Sequence, residues 1–427
     1  MTAHFDLAIV GAGMTGLCAA VFAASRGLST VVLGPTGSWA HPSGLFDLLG
    51  VYPLEEKKRV HNPWDALKTL MANEPSHPYG LVGEPALRDA FSFLLDVLSQ
   101  RNYSYFRVSE ANSELITSLG TRKTTYCLPA TMGAGVQAWQ RKSSCLLIDF
   151  FGLKDYSAQL VASNLRSAWP LLRWSTVECP GTDSQHEISP AFLARQFDEA
   201  PFRDRLAERI TPLLQGAIAV GLPAVLGFEH SLGALEHLQN RLGVPVFEIP
   251  CTPGFVPGLR LRAAFEKALH GLGAKLMTEK VVRVRAEPPD GFVLFAGETD
   301  ALTEIRAPAV LLATGRFLAG GLAAERTGVR ETVFNLPVWQ PDARQAWHRA
   351  DLFDTRGHPI HRAGVRVDAL FRPVDSSQLP VFTGLFVAGS LLAHQDWMRT
   401  KSGAGLAIGT AWGAVKACQR YLEEGQS

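Results

Sequence analysis

From Phe5 to Val10 the chain is apolar except for Asp6, and apolar positions return with helical spacing from Met14 to Gly27. A short unbroken apolar run predicts a buried strand, and a 3.6-residue period predicts a helix. Ser29–Leu33 is a second apolar run, so residues 5–33 read as a βαβ unit with Gly27 closing the helix. The two patterns recur further along. Ala86–Gln100 and Gly258–His270 have helical spacing, while Cys145–Phe150, Lys275–Val284, Gly291–Ala296, Ala309–Leu312 and Leu385–Ala388 read as strands. A last helix opens in the small-residue segment Ser402–Gly405. Residues 34–50 and 326–380 have no clear period, and Gly and Pro interrupt Gly221–Gly227.

The turn between the first strand and helix is Gly11-Ala12-Gly13-Met14-Thr15-Gly16. This GxGxxG stands where a phosphate cradle needs it. Gly11 allows the tight turn, Gly13 lets a phosphate approach the backbone, and Gly16 lets the helix pack on the strand. The helix N-terminus then attracts the anion. Met14 and Thr15 supply the first-turn amides. The second strand should end in an acid that holds an adenosine ribose. Here it continues Leu33-Gly34-Pro35-Thr36-Gly37-Ser38, with no carboxylate.

Nucleotide-fold pieces at both ends and in the middle predict an α/β fold. Its Rossmann-like flavin-binding domain is discontinuous, comprising 1–50, 254–325 and 381–427. An inserted second domain, α/β or α+β, comprises 51–253 and 326–380.

With 427 residues the chain has room for two cores. The formal net charge of +1 and the absence of any basic run argue against nucleic acid. Six cysteines, at 18, 127, 145, 179, 251 and 418, form no CxxC pair and no zinc spacing. No metal site and no iron–sulfur ligands are therefore expected. Gly403–Cys418 is apolar but short and carries Lys416, so it reads as a packed helix and not as a span. The first apolar stretch contains Asp6 and a glycine turn, which fits a strand better than a secretory signal.

Other residues gather around the predicted strand ends. Ala313-Thr314-Gly315 follows one buried strand, and Gly389-Ser390 follows another, where serine offers an uncharged hydrogen bond. Ser43-Gly44 lies in the loop after the second strand. Lys401, with Gly403 and Gly405 at the last helix start, is placed to stabilise a reduced flavin. His394 and Arg316 each lie just past a strand that borders the crevice. Arg326, Arg330, His358 and His361 are further candidates for an anionic or hydroxylic substrate. No catalytic proton carrier stands out among them.

Several longer stretches carry a family resemblance. They are Ser43-Gly44-Leu45-Phe46-Asp47-Leu48-Leu49, His77-Pro78-Tyr79-Gly80-Leu81-Val82-Gly83, and Pro253-Gly254-Phe255-Val256-Pro257-Gly258-Leu259-Arg260-Leu261. The most specific is Ala313-Thr314-Gly315-Arg316-Phe317-Leu318-Ala319-Gly320-Gly321-Leu322, followed by Glu325-Arg326 and Gly328-Val329-Arg330-Glu331. In these the chain resembles the B subunit of bacterial anaerobic glycerol-3-phosphate dehydrogenase, the quinone-dependent enzyme.

The resemblance implies a complex of three subunits. In it a catalytic flavin subunit oxidises sn-glycerol 3-phosphate to dihydroxyacetone phosphate. An iron–sulfur, membrane-anchoring subunit holds the pair on the inner face of the inner membrane, and electrons pass on to menaquinone. The resemblance implies FMN for the third member, the one this chain is like. That agrees with the missing ribose acid, because FMN has no adenosine. Cofactor contacts are then expected at Gly11, Gly13, Met14, Thr15, Gly16, Ser43, Gly44, Gly315, Gly389, Ser390, Gly403 and Gly405. Two other readings stay open. One is a standalone FAD oxidoreductase of a small hydroxy acid or amine, and the other is an assembly subunit with a relict flavin fold.

Overall fold

The computed structural model describes residues 2–36, 42–181, 187–251, 256–288, 291–298 and 301–425. The chain divides into two compact units. One comprises Met1–Ser38, Asp47–Val97 and Phe265–Ser427, and the other comprises Trp39–Phe46 and Leu98–Ala264.

The first unit is built on a five-stranded parallel sheet. Its strands are β1 (Leu7–Val10), β2 (Thr30–Leu33), β3 (Lys275–Met277), β4 (Ala309–Leu312) and β5 (Leu385–Val387). Their spatial order is β3-β2-β1-β4-β5, and every pairing is parallel. That is the strand order of a nucleotide-binding half-fold, with β1 in the centre. β1, β2, β4 and β5 are buried along their length, as unbroken apolar runs require in a parallel sheet covered on both faces.

The first helix (Met14–Ala24) is buried at every residue from Gly16 to Ala23, so it is apolar all round and not merely on one stripe. It packs against the C-terminal helix (Gly403–Gly425). Phe22 meets Trp412 edge-on at 4.9 Å between ring centroids, and the Arg26 guanidinium covers the same indole at 4.2 Å. A second, mixed sheet of this unit has the order Thr2–His4, Ala301–Ala307, Gly291–Glu298, Val281–Glu287.

The second unit carries its own four-stranded parallel sheet. The order is Val246–Ile249, Ala219–Pro223, Cys145–Phe150, Leu172–Val177. Its core joins these strands to Leu193, Phe197, Phe202, Leu206 and Leu238 from the flanking helices. A fully buried ion pair ties it together. Arg260 grips Glu248 through two nitrogens at 2.8 and 2.9 Å, and Glu248 also accepts from the Thr131 hydroxyl and the Leu226 amide.

Two readings from the sequence change. Lys275–Val284 is not one strand: Lys275–Met277 joins the parallel sheet and Val281–Glu287 joins the mixed one. The break falls at the polar triplet Thr278-Glu279-Lys280, between the two apolar segments. The division of the chain also differs from the expected boundaries, because 51–97 and 326–380 lie in the same unit as the five-stranded sheet. Long-range bonds explain this placement. The Tyr79 hydroxyl donates to Leu48 O and Ser402 O, at 2.7 and 3.3 Å. Glu74 pairs with Arg362, and Arg316 binds the backbone at residues 360 and 361.

Candidate functional site

The loop after β1 must bend sharply, and Gly11 does so at φ +117° with its amide on Leu33 O at 2.7 Å. A Cβ there would stand 2.4 Å from the Ala313 carbonyl oxygen, so the turns after β1 and β4 are pressed together. A Cβ on Gly16 would meet the Gly11 carbonyl oxygen at 1.7 Å. Gly13 is different. It caps the first helix at φ −80°, ψ −174°, without a side-chain capping bond, and a Cβ on it would meet nothing within 4 Å. No acid occupies the first turn. An uncapped helix N-terminus facing open space is suited to an anion, because its first amides lack intrahelical partners and the helix dipole adds positive potential.

The ends of β4 and β5 complete this corner. Gly315, at φ +71°, would place a Cβ 3.7 Å from Ser390 Oγ. Gly389, at φ +76°, donates its amide to Thr410 Oγ1 at 2.8 Å, and a Cβ on it would fall 2.2 Å from Thr15 Oγ1. Thr314 Oγ1 is buried without a partner among the described residues. The structure thus brings together Gly11, Gly13, Thr15, Gly16, Gly315, Gly389 and Ser390, with half-buried Met14 in the first helical turn.

The remaining expected contacts have packing roles of their own. Ser43 and Gly44 belong to the second unit, where Gly44 O accepts from the Tyr105 hydroxyl at 2.8 Å. The Gly405 amide is taken by Asp47 O at 2.9 Å, and a Cβ on Gly405 would strike the Tyr79 hydroxyl. Gly403 lies against the Trp397 ring. Lys401 is exposed at φ +52°, and its carbonyl accepts from the Gly50 amide. Packing therefore accounts for the glycines at this helix start. Residues 253–255, the start of one family stretch, lie outside the described residues.

Arg316 is a clamp in this structure. Its guanidinium donates to His361 O, and to Ile360 O at 3.0 Å, which pins the short helix Pro359–Arg362 to the turn after β4. Arg362 on that helix pairs with Glu74 and donates to His394 O at 3.3 Å. Arg330 pairs with Glu325, and Arg326 is exposed. His358 is tied into its own loop, accepting the Arg349 amide at 3.0 Å. His361 lies 3.5 Å from Asp396.

His394 lines a cleft of about 260 Å³ with Glu74, Pro75, His77, Trp339 and Arg362. Its ring leans on Trp339 at 4.4 Å between centroids, and burial, Arg362 and Arg366 lower its pKa. His77 is 2% exposed, and its Nδ1 accepts the Tyr79 amide at 3.2 Å. Burial, reinforced by Arg362 and His394, pushes its pKa down to about 3. Sequence reasoning noticed His77 only within a family stretch and missed Glu74, Trp339 and Arg362. The one local signal was His77-Pro78, a cap residue before a helix-starting proline. Among the described residues no His, Cys, Asp or Glu cluster is arranged to hold a metal ion. No described helix is long and apolar enough to cross a membrane.

A parallel sheet of this order with a glycine turn after its central strand defines a flavoprotein-type nucleotide fold, and the sequence agrees. The family described as FAD binding domain matches residues 6–406. The chain belongs to that family and, within it, to the family of anaerobic glycerol-3-phosphate dehydrogenase B subunits.

A relative from Halobacterium salinarum (strain ATCC 29341 / DSM 671 / R1), described as the probable B subunit of anaerobic glycerol-3-phosphate dehydrogenase, is 31% identical. That match covers 99% of this chain and all (100%) of the relative. The anaerobic glycerol-3-phosphate dehydrogenase B subunit of Vibrio vulnificus (strain YJ016) is 26% identical over 97% of this chain and 96% of its own. The crystal structure of 3-ketosteroid delta1-dehydrogenase from Sterolibacterium denitrificans aligns over 99% of this chain and 100% of that chain. Its identity is 14% and its TM-score 0.44, a distance at which the likeness carries no functional argument.

Proposed function

We propose that this chain is the FMN-bearing subunit of an anaerobic glycerol-3-phosphate dehydrogenase complex, supporting oxidation of sn-glycerol 3-phosphate to dihydroxyacetone phosphate. Its partners would be two: a catalytic flavin protein, and an iron–sulfur protein that attaches the complex to the inner membrane face. Electrons would leave toward menaquinone. The observation that carries the reading is the open, uncapped helix start at Gly13 in a chain of this family. The residues there fit a flavin phosphate. Backbone amides from Gly13 to Gly16 would bind it, and Gly11 and Gly315 keep the strand ends close. Ser390 offers a hydroxyl, and Thr15 packs on Gly389 so that the turn after β5 stays against the helix start. A bound flavin supplies the capacity to accept and return reducing equivalents.

FMN is favoured over FAD by the end of β2, where Gly34, Pro35 and Thr36 offer no carboxylate to a ribose. FAD is the second reading, favoured by the description of the matched family. Acid extraction of the purified chain followed by chromatography decides between them, since only FAD yields an adenine-bearing flavin. Co-purification from cell extract tests the complex: the chain should travel with an iron–sulfur protein, and recovery solely as a free monomer would overturn that part.

A further inference from the structure

The outer strands of the three larger sheets are guarded, with one exception. A sheet edge presents unpaired amides and carbonyls, and proteins blunt it with short strands, bulges, charges or a covering element. Thr2–His4, Lys275–Met277 and Leu385–Val387 are edge strands of three residues each. Val246–Ile249 is buried throughout. Val281–Glu287 has a register shift between Val281 and Arg283 and exposes Arg283 and Arg285. Leu172–Val177, the outer strand of the second unit's sheet, has none of these protections. It is six residues long and pairs with Cys145–Phe150 in unbroken register. Its one charge, Arg173, is turned back onto its own chain, donating to Leu214 O and to Gln215 Oε1, the latter at 3.4 Å.

The direction of the backbone bonds defines what this edge offers. The Cys145 amide donates to Leu171 O, and the Phe151 amide to Val177 O. Backbone groups alternate sides along a strand, so residues 171, 173, 175 and 177 serve the sheet while 172, 174 and 176 face outward. The Leu172 amide is taken by Trp169 O. Leu172 O and the amides and carbonyls of Trp174 and Thr176 have no strand beside them among the described residues. Apolar side chains follow the same edge. Leu171 at its start, Trp174 in its middle and Phe151 beside its end are 56%, 43% and 60% exposed.

This edge is complementary to itself. When a second copy's Leu172–Val177 runs antiparallel to the first, with the two Trp174 residues opposite, those residues exchange their amide and carbonyl bonds. Each Thr176 amide then meets the other copy's Leu172 O. Arg173 falls opposite the other copy's Ser175, so no like charges are opposed. Leu171 falls opposite the other copy's Val177 and beside its Phe151, apolar against apolar, and the two indoles become cross-strand neighbours. A two-fold axis at Trp174 satisfies both copies at once, as an isologous contact requires.

We propose that Leu172–Val177 is a self-association edge, at which two copies of this chain join their four-stranded sheets by antiparallel pairing about Trp174. The proposal does not depend on the flavin reading.

Sedimentation velocity on the purified full-length chain, from about 1 to 100 µM, tests it. The chain should pass reversibly from monomer to dimer across this range. Thr176→Pro removes an outward amide that the chain's own ladder does not use, a substitution that an edge strand tolerates. Trp174→Lys sets two like charges face to face. Each variant should weaken dimerisation about tenfold or more, with a thermal melt at low concentration that matches the wild type. Hydrogen exchange supplies a second readout. The wild-type Trp174 and Thr176 amides should be protected at high concentration and exposed at low, while the Cys145 and Phe151 amides stay protected at both.

A wild-type monomer throughout the range would overturn the proposal. So would a dimer of unchanged affinity in both variants, which would place the contact elsewhere, or exchange at Trp174 and Thr176 that ignores concentration. Protection of these amides only in the presence of a co-purifying protein would give the edge to another partner and overturn it too. Flavin content does not enter these readouts, so failure of either reading leaves the other standing.

Discussion

Replacing Gly13 with alanine places a methyl group where the protein has no atom within 4 Å. The backbone there, at φ −80° and ψ −174°, is extended and open to any L-residue. Nothing in the fold requires glycine at this position. Loss of unfolded-state freedom should stabilise the variant by about 0.4–1 kcal/mol, which in a unit of this size raises Tm by roughly 2 °C or less. A bound phosphate would feel the change directly. The second glycine of this turn leaves room for a phosphate to approach the backbone, and a methyl group in the open space at Gly13 would hold the phosphate away from the helix-start amides. Each charge-assisted bond lost costs about 1.5–3 kcal/mol, so flavin binding should weaken by at least ~10-fold, and by ~100-fold at the upper value. Thermal melts and flavin absorbance on the same preparation read both effects. Gly16→Ala is the contrast, because its Cβ would sit 1.7 Å from the Gly11 carbonyl oxygen and should prevent normal folding. A Gly13→Ala protein that retains wild-type flavin affinity, or that fails to fold, would refute the reasoning.

Three other substitutions follow from the packing. His77 is held neutral with its pKa near 3, while the unfolded chain takes a proton near 6.5. Its stabilising effect is therefore complete above pH 6.5 and is lost as pH falls toward 3. Urea midpoints should show the wild type losing about 1.4 kcal/mol more than His77→Asn between pH 7.5 and 5.5; identical losses would contradict this. Arg260→Met leaves Glu248 charged and buried, and should destabilise the second unit by about 3–5 kcal/mol in denaturant unfolding. Thr410→Val removes the acceptor of the buried Gly389 amide and should cost about 1–3 kcal/mol, measured the same way.

The central sheet was legible because its strands are short apolar runs buried on both faces, a pattern that Leu7–Val10 and Ala309–Leu312 show without interruption. The phosphate corner was legible because its glycines have fixed jobs close together in sequence. The start of the last helix is open to two readings. Gly403 and Gly405 look like ligand contacts, yet each admits a neighbouring aromatic side chain, Trp397 or Tyr79. Local sequence does not distinguish a glycine that clears room for a ligand from one that clears room for a ring. The cleft was invisible for a different reason. His77, Trp339, Arg362 and His394 come from separate segments of the chain, and no periodicity links them. What joins them is tertiary: the Glu74–Arg362 pair and the Arg316 clamp. The boundaries between units were missed on the same ground, since the long-range bonds of Tyr79 and Arg362 draw irregular segments into the sheet-bearing unit.

The account rests on a flavin phosphate at Gly11–Gly16, and cofactor identification on the freshly purified chain tests it most directly. Acid extraction and chromatography should release FMN, close to one per chain. A protein that contains no flavin, and takes up none on incubation with FMN or FAD, would contradict the claim.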